Sequence, residues 1–172
     1  MRLQAICYRG HDPKWSFSPL SGDGAATAGG RFNPKGVPAL YLALSIDTVI
    51  LETTQGFPYR LEPLMIVTYE VDVADIVDLR TPESRQVADV KLEDMGCGWR
   101  FDLASGEEPA SWRIANRFRP TVAGILVPSF ANGARADMHN LVLWKWGPNL
   151  PHQVNVYDPH QRLPKDQRSW AP

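Results

Sequence analysis

Gly29-Gly30-Arg31-Phe32-Asn33-Pro34-Lys35-Gly36, followed by Ala39-Leu40-Tyr41 and then by Glu52, gathers a flexible approach, a cation, a tight turn, a phenol and a carboxylate into one short span. Asn33 to Gly36 fits a type I turn, with Asn first, Pro where φ is already set, and Gly last. Ala39 to Ala43 reads as a buried strand. Ser45 then caps a helix in which Ile46, Val49, Ile50 and Thr53 recur at helical spacing. On the N-terminal side, Gly22 to Gly30 reads as a Gly/Ala-rich loop and Leu3 to Tyr8 as a short strand.

Beyond Glu52, strands are expected over Leu64 to Val71, Ile76 to Leu79, Thr121 to Val127, Asn140 to Trp146 and Val154 to Tyr157. Thr81-Pro82 marks a helix start, with Thr as N-cap and Pro at the first helical position. Pro109 to Phe118 is a further helix. Strands with helices inserted irregularly point to an α+β fold rather than a regular βαβ series. Residues 147–172, rich in Pro, Asn and Gln, are expected to wrap the surface, meet a partner or remain solvated.

The 172 residues suffice for one well-buried domain, taken as 1–172, and are too few for two comfortable ones. The net charge is -1, with Lys and Arg scattered, so there is no broad electrostatic footprint for nucleic acid or an anionic membrane. Any anion must be held by locally placed arginines. Cys7 and Cys97 lack CxxC spacing and read as ordinary cytosolic thiols. No apolar run approaches a membrane span and no signal peptide is evident, so the expected location is the cytoplasm.

Familiar nucleotide motifs fail. Gly22-Asp23-Gly24-Ala25-Ala26-Thr27 begins like GxGxxG but ends in Thr and opens no clear helix after a strand. Gly24 and Gly29 have P-loop spacing, yet Gly30 and Arg31 stand where Lys and Ser/Thr are required. His11, His139, His152 and His160 lack metal-ligand spacing, and no metal is expected. Ser129, in Pro128-Ser129-Phe130, sits in no GxSxG elbow.

What remains is a constellation. Gly29 and Gly30 let backbone approach a ligand closely. Arg31 offers a planar fork of donors suited to a pyrophosphate. Tyr41 can stack a ring and still offer its hydroxyl. Glu52 lies on the helix flank shared with Val49 and Thr53, near the interior, where a carboxylate needs a partner: Arg31, Arg9 or a ligand hydroxyl. The residues alone also allow a structural reading, with an Arg31–Glu52 ion pair, a core Tyr41, Ser45 as a plain cap and Ser129 as a turn hydroxyl.

The order Tyr8-Arg9, Gly29-Gly30-Arg31-Phe32-Asn33, Leu40-Tyr41, Glu52, Ile125-Leu126-Val127-Pro128-Ser129 and Asn140-Leu141-Val142-Leu143-Trp144 resembles the RES-domain family, named for an Arg, a Glu and a Ser. The motifs run from Tyr8 to Trp146. Phe32 stands where many members carry Trp. The resemblance implies an ADP-ribosyltransferase-like fold of the diphtheria-toxin group, with mixed or antiparallel sheets and a few helices. It implies a bacterial toxin paired with an Xre-like helix-turn-helix antitoxin, which attacks NAD+ as substrate rather than holding it as cofactor. One branch modifies phosphoribosyl pyrophosphate synthetase; a protein, water and phosphate all stand open as ADP-ribose acceptors.

On that implication the reaction is rupture of the nicotinamide–ribose bond through an oxocarbenium-like transition state. Glu52 is assigned to stabilise the developing charge, Tyr41 to stack on nicotinamide, and Arg31 to grip phosphates or ribose. Arg9, Gly30, Ser45 and Ser129 are expected as further NAD+ contacts. Two rival readings are a non-catalytic nucleotide- or peptide-binding module and a metal-independent ribonuclease toxin. Near-neutral charge weighs against the latter.

Overall fold

The computed structural model describes residues 1–55 and 61–168. Its strands are β1 (Leu3–His11), β2 (Leu40–Ala43), β3 (Met65–Val73), β4 (Ile76–Asp78), β5 (Gly124–Pro128), β6 (His139–Leu143) and β7 (His152–Val156). They form one seven-stranded sheet in the order β4-β5-β6-β2-β1-β3-β7. Only β4 and β5 run parallel; every other pair is antiparallel. The helices are α1 (Asp23–Ala28), α2 (Ile46–Thr54), α3 (Pro82–Val87), α4 (Leu92–Met95), α5 (Trp99–Ala104) and α6 (Ala110–Phe118). This is a single-domain mixture of a large sheet and short helices, as the α+β expectation requires.

Side-chain alternation gives the sheet two cores. On one face Cys7, Leu40, Leu42, Tyr69, Val71, Leu126, Leu141 and Leu143 pack together. On the other, Ile125, Val127 and Val142 meet Phe32, Met95, Ile114 and Ala115. Central strands covered on both faces read as unbroken apolar runs, which is why Ile125–Val127 and Leu141–Leu143 lack polar alternation. The site described below lies on the second face.

β1 pairs with β3 along its whole length, from Leu3↔Val73 to His11↔Met65. Its other edge meets β2 only at Tyr8↔Ala43. The sheet is therefore split between β1 and β2 on the C-terminal side of Tyr8.

Several sequence expectations are met. Ser45 caps α2, its Oγ accepting from the Thr48 N–H at 3.2 Å. Thr81 and Ser84 form a reciprocal capping box with Pro82 in the first turn of α3. Others are corrected. Gly22 to Gly30 is not a loop throughout: Asp23–Ala28 is helical, because its alanines favour helix and Gly29, at φ 74°, supplies the stop. The expected Asn33–Gly36 turn is shifted by one residue. The Val37 N–H donates to Pro34 O at 3.1 Å, which puts Gly36, at φ 85°, third in the turn, where type II turns need positive φ. Helices α4 and α5 carry no side-chain cap and showed no sequence signal.

Within 147–168, β7 extends the sheet beyond β3, and Leu163 packs against the first core. This stretch wraps the domain; residues 169–172 lie outside the described residues. No described helix is long and apolar enough to cross a membrane.

Candidate active site

The Gly30–Asn33 segment closes on itself. The Gly30 N–H donates to Asn33 O at 2.9 Å. The fully buried Asn33 side chain donates to Ala25 O (2.8 Å) and Val37 O (2.9 Å). Its Oδ1 accepts from the Tyr41 hydroxyl at 2.7 Å, and that hydroxyl accepts from the Phe32 N–H at 2.9 Å. Two indoles clamp the same segment: Trp112 Nε1 donates to Gly30 O (2.8 Å) and Trp144 Nε1 to Phe32 O (3.0 Å).

Tyr41 thus spends its hydroxyl on the loop. This corrects the expectation of a free phenol. Burial also pushes the phenol above its ordinary pKa, against the opposing Phe32 N–H and the Arg31 charge.

Gly30 is required for packing rather than for ligand approach alone. A Cβ there would stand 2.5 Å from Asn33 Oδ1 and 2.6 Å from the Tyr41 oxygen. Gly30→Ala should lower stability by about 1–3 kcal/mol, the usual cost of overpacking. Denaturant unfolding would read this, and an unchanged midpoint would remove the packing role.

Arg31 projects from this rigid segment. Its Nη1 donates to Met95 O (3.1 Å) and Cys97 O (2.7 Å), in and after α4, and the guanidinium lies 5.0 Å from the Phe130 ring centre. Burial lowers its pKa, and the nearby charge of Arg100 acts in the same direction against Cys97, Glu52 and Tyr41. An arginine in this setting stays cationic. Among the described residues Nε and Nη2 donate no hydrogen bond, so they can face an anion.

Glu52 sits one turn after the buried Val49 on α2. Its Oε1 accepts from Ser129 Oγ at 2.6 Å and from Asn140 Nδ2 at 2.5 Å. These two donors, not Arg31 or Arg9, satisfy the carboxylate. Among the described residues Glu52 makes no ion pair within 4 Å. The sheet register makes this possible, because Asn140 pairs with both Ala43 and Val127 at the end of β6 nearest α2. Ser129 follows β5 and is held by its own N–H to Met138 O at 2.8 Å. With both donors on Oε1, Oε2 accepts nothing from a described residue.

Arg31, Tyr41, Glu52 and Gly30 line one cavity of about 540 Å³, joined by Gln55, Trp99, Arg100, Phe130, Asn132 and Asn140. Arg9 lines a second, of about 230 Å³, which shares Tyr41, Glu52 and Asn140 with the first. Arg9 Nη1 donates to Pro19 O (3.3 Å) and Ser21 O (3.0 Å). Ser45 lines neither cavity and is engaged with Thr48. Ser129 is buried behind Glu52 and acts on it rather than on the cavity. No group of three or more His, Cys, Asp or Glu among the described residues could hold a metal ion.

Sequence reasoning missed Asn33 as the anchor, Asn140 as a carboxylate partner, and Trp99, Arg100 and Phe130 as lining. Asn140 had one signal, an amide beside His139 directly ahead of the apolar run Leu141–Leu143. The others depend on which helices fold over the second face.

The chain is similar to the NAD(+) phosphorylase MbcT of Mycobacterium bovis and of Mycobacterium tuberculosis, with 32% identity over 120 residues, 64% of this chain. The match takes in 60% of those relatives' own length. The fold is similar to a chain of the M. tuberculosis MbcT–MbcA toxin–antitoxin complex, with a TM-score of 0.56 and 23% identity. That superposition covers 92% of this chain and 84% of the other. Residues 6–166 match the RES domain, and the chain belongs to that family.

Proposed function

We propose that this protein cleaves the nicotinamide–ribose bond of NAD+ and does so as the toxin of a toxin–antitoxin pair. The observation that carries the reading is Glu52: one carboxylate oxygen is locked by Ser129 and Asn140, and the residue lines a cavity that also holds Arg31. The cavity falls within the roughly 300–1,000 Å³ typical of small-molecule sites. The similar proteins named NAD(+) phosphorylase support the substrate, and the similar toxin–antitoxin complex supports the partner.

The chemistry follows from charge. As the bond to nicotinamide lengthens, positive charge develops on the ribose. A carboxylate already fixed in place stabilises that charge more than the ground state, with little reorganisation at the moment of reaction. Arg31, held by two carbonyls and the Phe130 ring, presents its remaining N–H groups to the pyrophosphate. The Tyr41 ring, its hydroxyl already used, offers a flat wall for the nicotinamide. Arg100, beside Trp99 in the same cavity, adds a second cation. Nicotinamide leaves as a neutral molecule.

A cytoplasmic enzyme that depletes NAD+ needs restraint, and an Xre-like helix-turn-helix antitoxin would supply it. Phosphoribosyl pyrophosphate synthetase stays a candidate protein acceptor. The test is to incubate the purified chain with NAD+ and follow free nicotinamide, then probe added synthetase for ADP-ribose by mass spectrometry. Nicotinamide release is expected. NAD+ bound but left intact would favour the binding-module reading and overturn this one.

A further inference from the structure

α5 brings two neighbouring side chains to the larger cavity, Trp99 and Arg100. No residue of α5 is buried, so neither side chain is committed to a core. Three other indoles are spent on backbone: Trp112 on Gly30 O, Trp144 on Phe32 O and Trp146 on Leu20 O. Trp99 Nε1 donates to no described residue. Of the other rings lining the cavity, Phe32 is buried, Phe130 carries Arg31, and Tyr41 stands with Glu52 on the wall shared with the smaller cavity. Trp99 is the flat surface left uncommitted. Arg100 is exposed, and its guanidinium lies 5.1 Å from the Trp99 ring centre. Among the described residues it makes no ion pair within 4 Å.

Arg31 sets the order along the cavity. Glu52 takes its donors from Ser129, after β5, and Asn140, on β6. Arg31 gives its own to Met95 O and Cys97 O, and Cys97 is two residues ahead of Trp99. The charges of Glu52 and of Arg100 both reach Arg31. Glu52 with Tyr41 thus lies on one side of Arg31, and Trp99 with Arg100 on the other. NAD+ has the same linear order: nicotinamide ribose, pyrophosphate, adenosine. With the first at Glu52 and the second at Arg31, the adenosine falls against α5. Glu52 is the only carboxylate lining the cavity among the described residues, and Asp102 of α5 does not line it. A carboxylate at the adenosine end accepts from the ribose 2′-hydroxyl and repels a phosphate there, whereas an arginine accommodates the 2′-phosphate.

We infer that Trp99 and Arg100 form the adenosine subsite and that it admits the 2′-phosphorylated dinucleotide, NADP+, as a second substrate. The inference rests on the NAD+ reading above and deepens it. Adenine stacks on the Trp99 indole, a contact any base can make through its π face. The 2′-phosphate pairs with the Arg100 guanidinium, whose planar fork of donors suits a phosphate. A ring and a cation this close match a base and the phosphate on its own ribose. Because Arg100 is exposed, the phosphate keeps part of its hydration and the pairing carries little desolvation cost. The bond that breaks is the same one, from ribose C1 to the nicotinamide nitrogen. Its electron pair leaves with nicotinamide, an oxygen nucleophile bonds to C1, and any proton that oxygen carries goes to solvent. The 2′-phosphate stays on the product.

The experiment is to measure nicotinamide release by the full chain from NAD+ and from NADP+ separately, and the binding of adenosine 2′,5′-bisphosphate and of AMP by calorimetry. The wild type should cleave NADP+ with a kcat/KM within about threefold of that for NAD+. Arg100→Gln should lower the NADP+ to NAD+ ratio of kcat/KM by about tenfold or more, and Arg100→Glu should lower it further. Trp99→Ala should raise the KM for both dinucleotides by about tenfold and leave their ratio in place. The bisphosphate should bind more tightly than AMP, and Arg100→Gln should erase the difference. Cleavage of NAD+ but not NADP+, or a ratio that Arg100→Gln does not move, overturns the 2′-phosphate assignment and leaves the NAD+ reading intact. A KM unmoved by Trp99→Ala overturns the stacking. Nicotinamide release from neither dinucleotide overturns the NAD+ reading; a bisphosphate preference that depends on Arg100 would then still support the subsite, and its absence would overturn that too.

Discussion

If the chain cleaves NAD+ as proposed, Glu52→Gln should lower turnover by about 100-fold or more, the cost of removing one preorganised electrostatic stabiliser. The substitution keeps the volume of the side chain and a carbonyl oxygen that can still accept from Ser129 Oγ and Asn140 Nδ2. It removes the negative charge that the oxocarbenium-like transition state needs. The loss should fall on kcat, with the KM for NAD+ little changed, because the charge acts mainly after the glycosidic bond begins to break. An unchanged melting temperature separates this outcome from misfolding. Equal turnover by wild type and variant removes Glu52 from the mechanism, and a rise in KM alone reassigns it to ground-state binding.

The second large effect is on stability at acid pH. His11, at the end of β1, is only 6% exposed, and its Nε2 lies 2.7 Å from the Tyr69 hydroxyl. That hydroxyl donates to Pro19 O at 2.9 Å, which leaves the His11 Nε2–H as donor to Tyr69. Arg9 donates to the same Pro19 carbonyl. Burial, reinforced by the Arg9 charge, pushes His11 down to about 4 from its ordinary 6.5. Between these values the unfolded chain binds a proton that the folded chain refuses. Stability is therefore full above the unfolded value and declines as pH falls through 6.5 towards 4, by about 3 kcal/mol in total.

Urea unfolding should show about 2 kcal/mol of this loss between pH 7 and about pH 5, with a flatter dependence for His11→Gln. Over that interval Asp72, Asp78 and Asp158 add little, because their partners hold them below the usual carboxylate range. Parallel pH profiles for wild type and His11→Gln would show that the acid loss comes from elsewhere. Pro19 to Ser21 is tied to the same end of the sheet through Tyr69 and Arg9.

Much of the site was legible along the chain. Arg31, Tyr41 and Glu52 do converge on one cavity, because they lie on a turn, a strand and the helix after it. Gly30 belongs with them, though its role is to make room for Asn33 and Tyr41. Arg9 and Ser129 were ranked as ligand contacts. The structure sets Arg9 on the neighbouring cavity and Ser129 behind the carboxylate. Ser45 did no more than its capping position required. The expected Glu52 partner was a cation or a ligand; the partners are a hydroxyl and an amide from β5 and β6, which are far away in sequence.

The amino-acid sequence by itself determined the local pieces: the Ser45 and Thr81 caps, the apolar runs of β5 and β6, the turn around Pro34–Gly36 to within one residue, and the grouping of Arg31, Tyr41 and Glu52. These depend on propensity, capping and periodicity, which act within a few residues. Only the tertiary structure decided which oxygen of Glu52 takes both the Ser129 and Asn140 donors, that the Tyr41 hydroxyl is spent on Asn33, and that the sheet parts between β1 and β2 to leave a second cavity. Those outcomes depend on strand order and on hydrogen bonds such as Asn140 to Glu52, spanning 88 residues, where no local pattern in the chain records which donor will meet which acceptor.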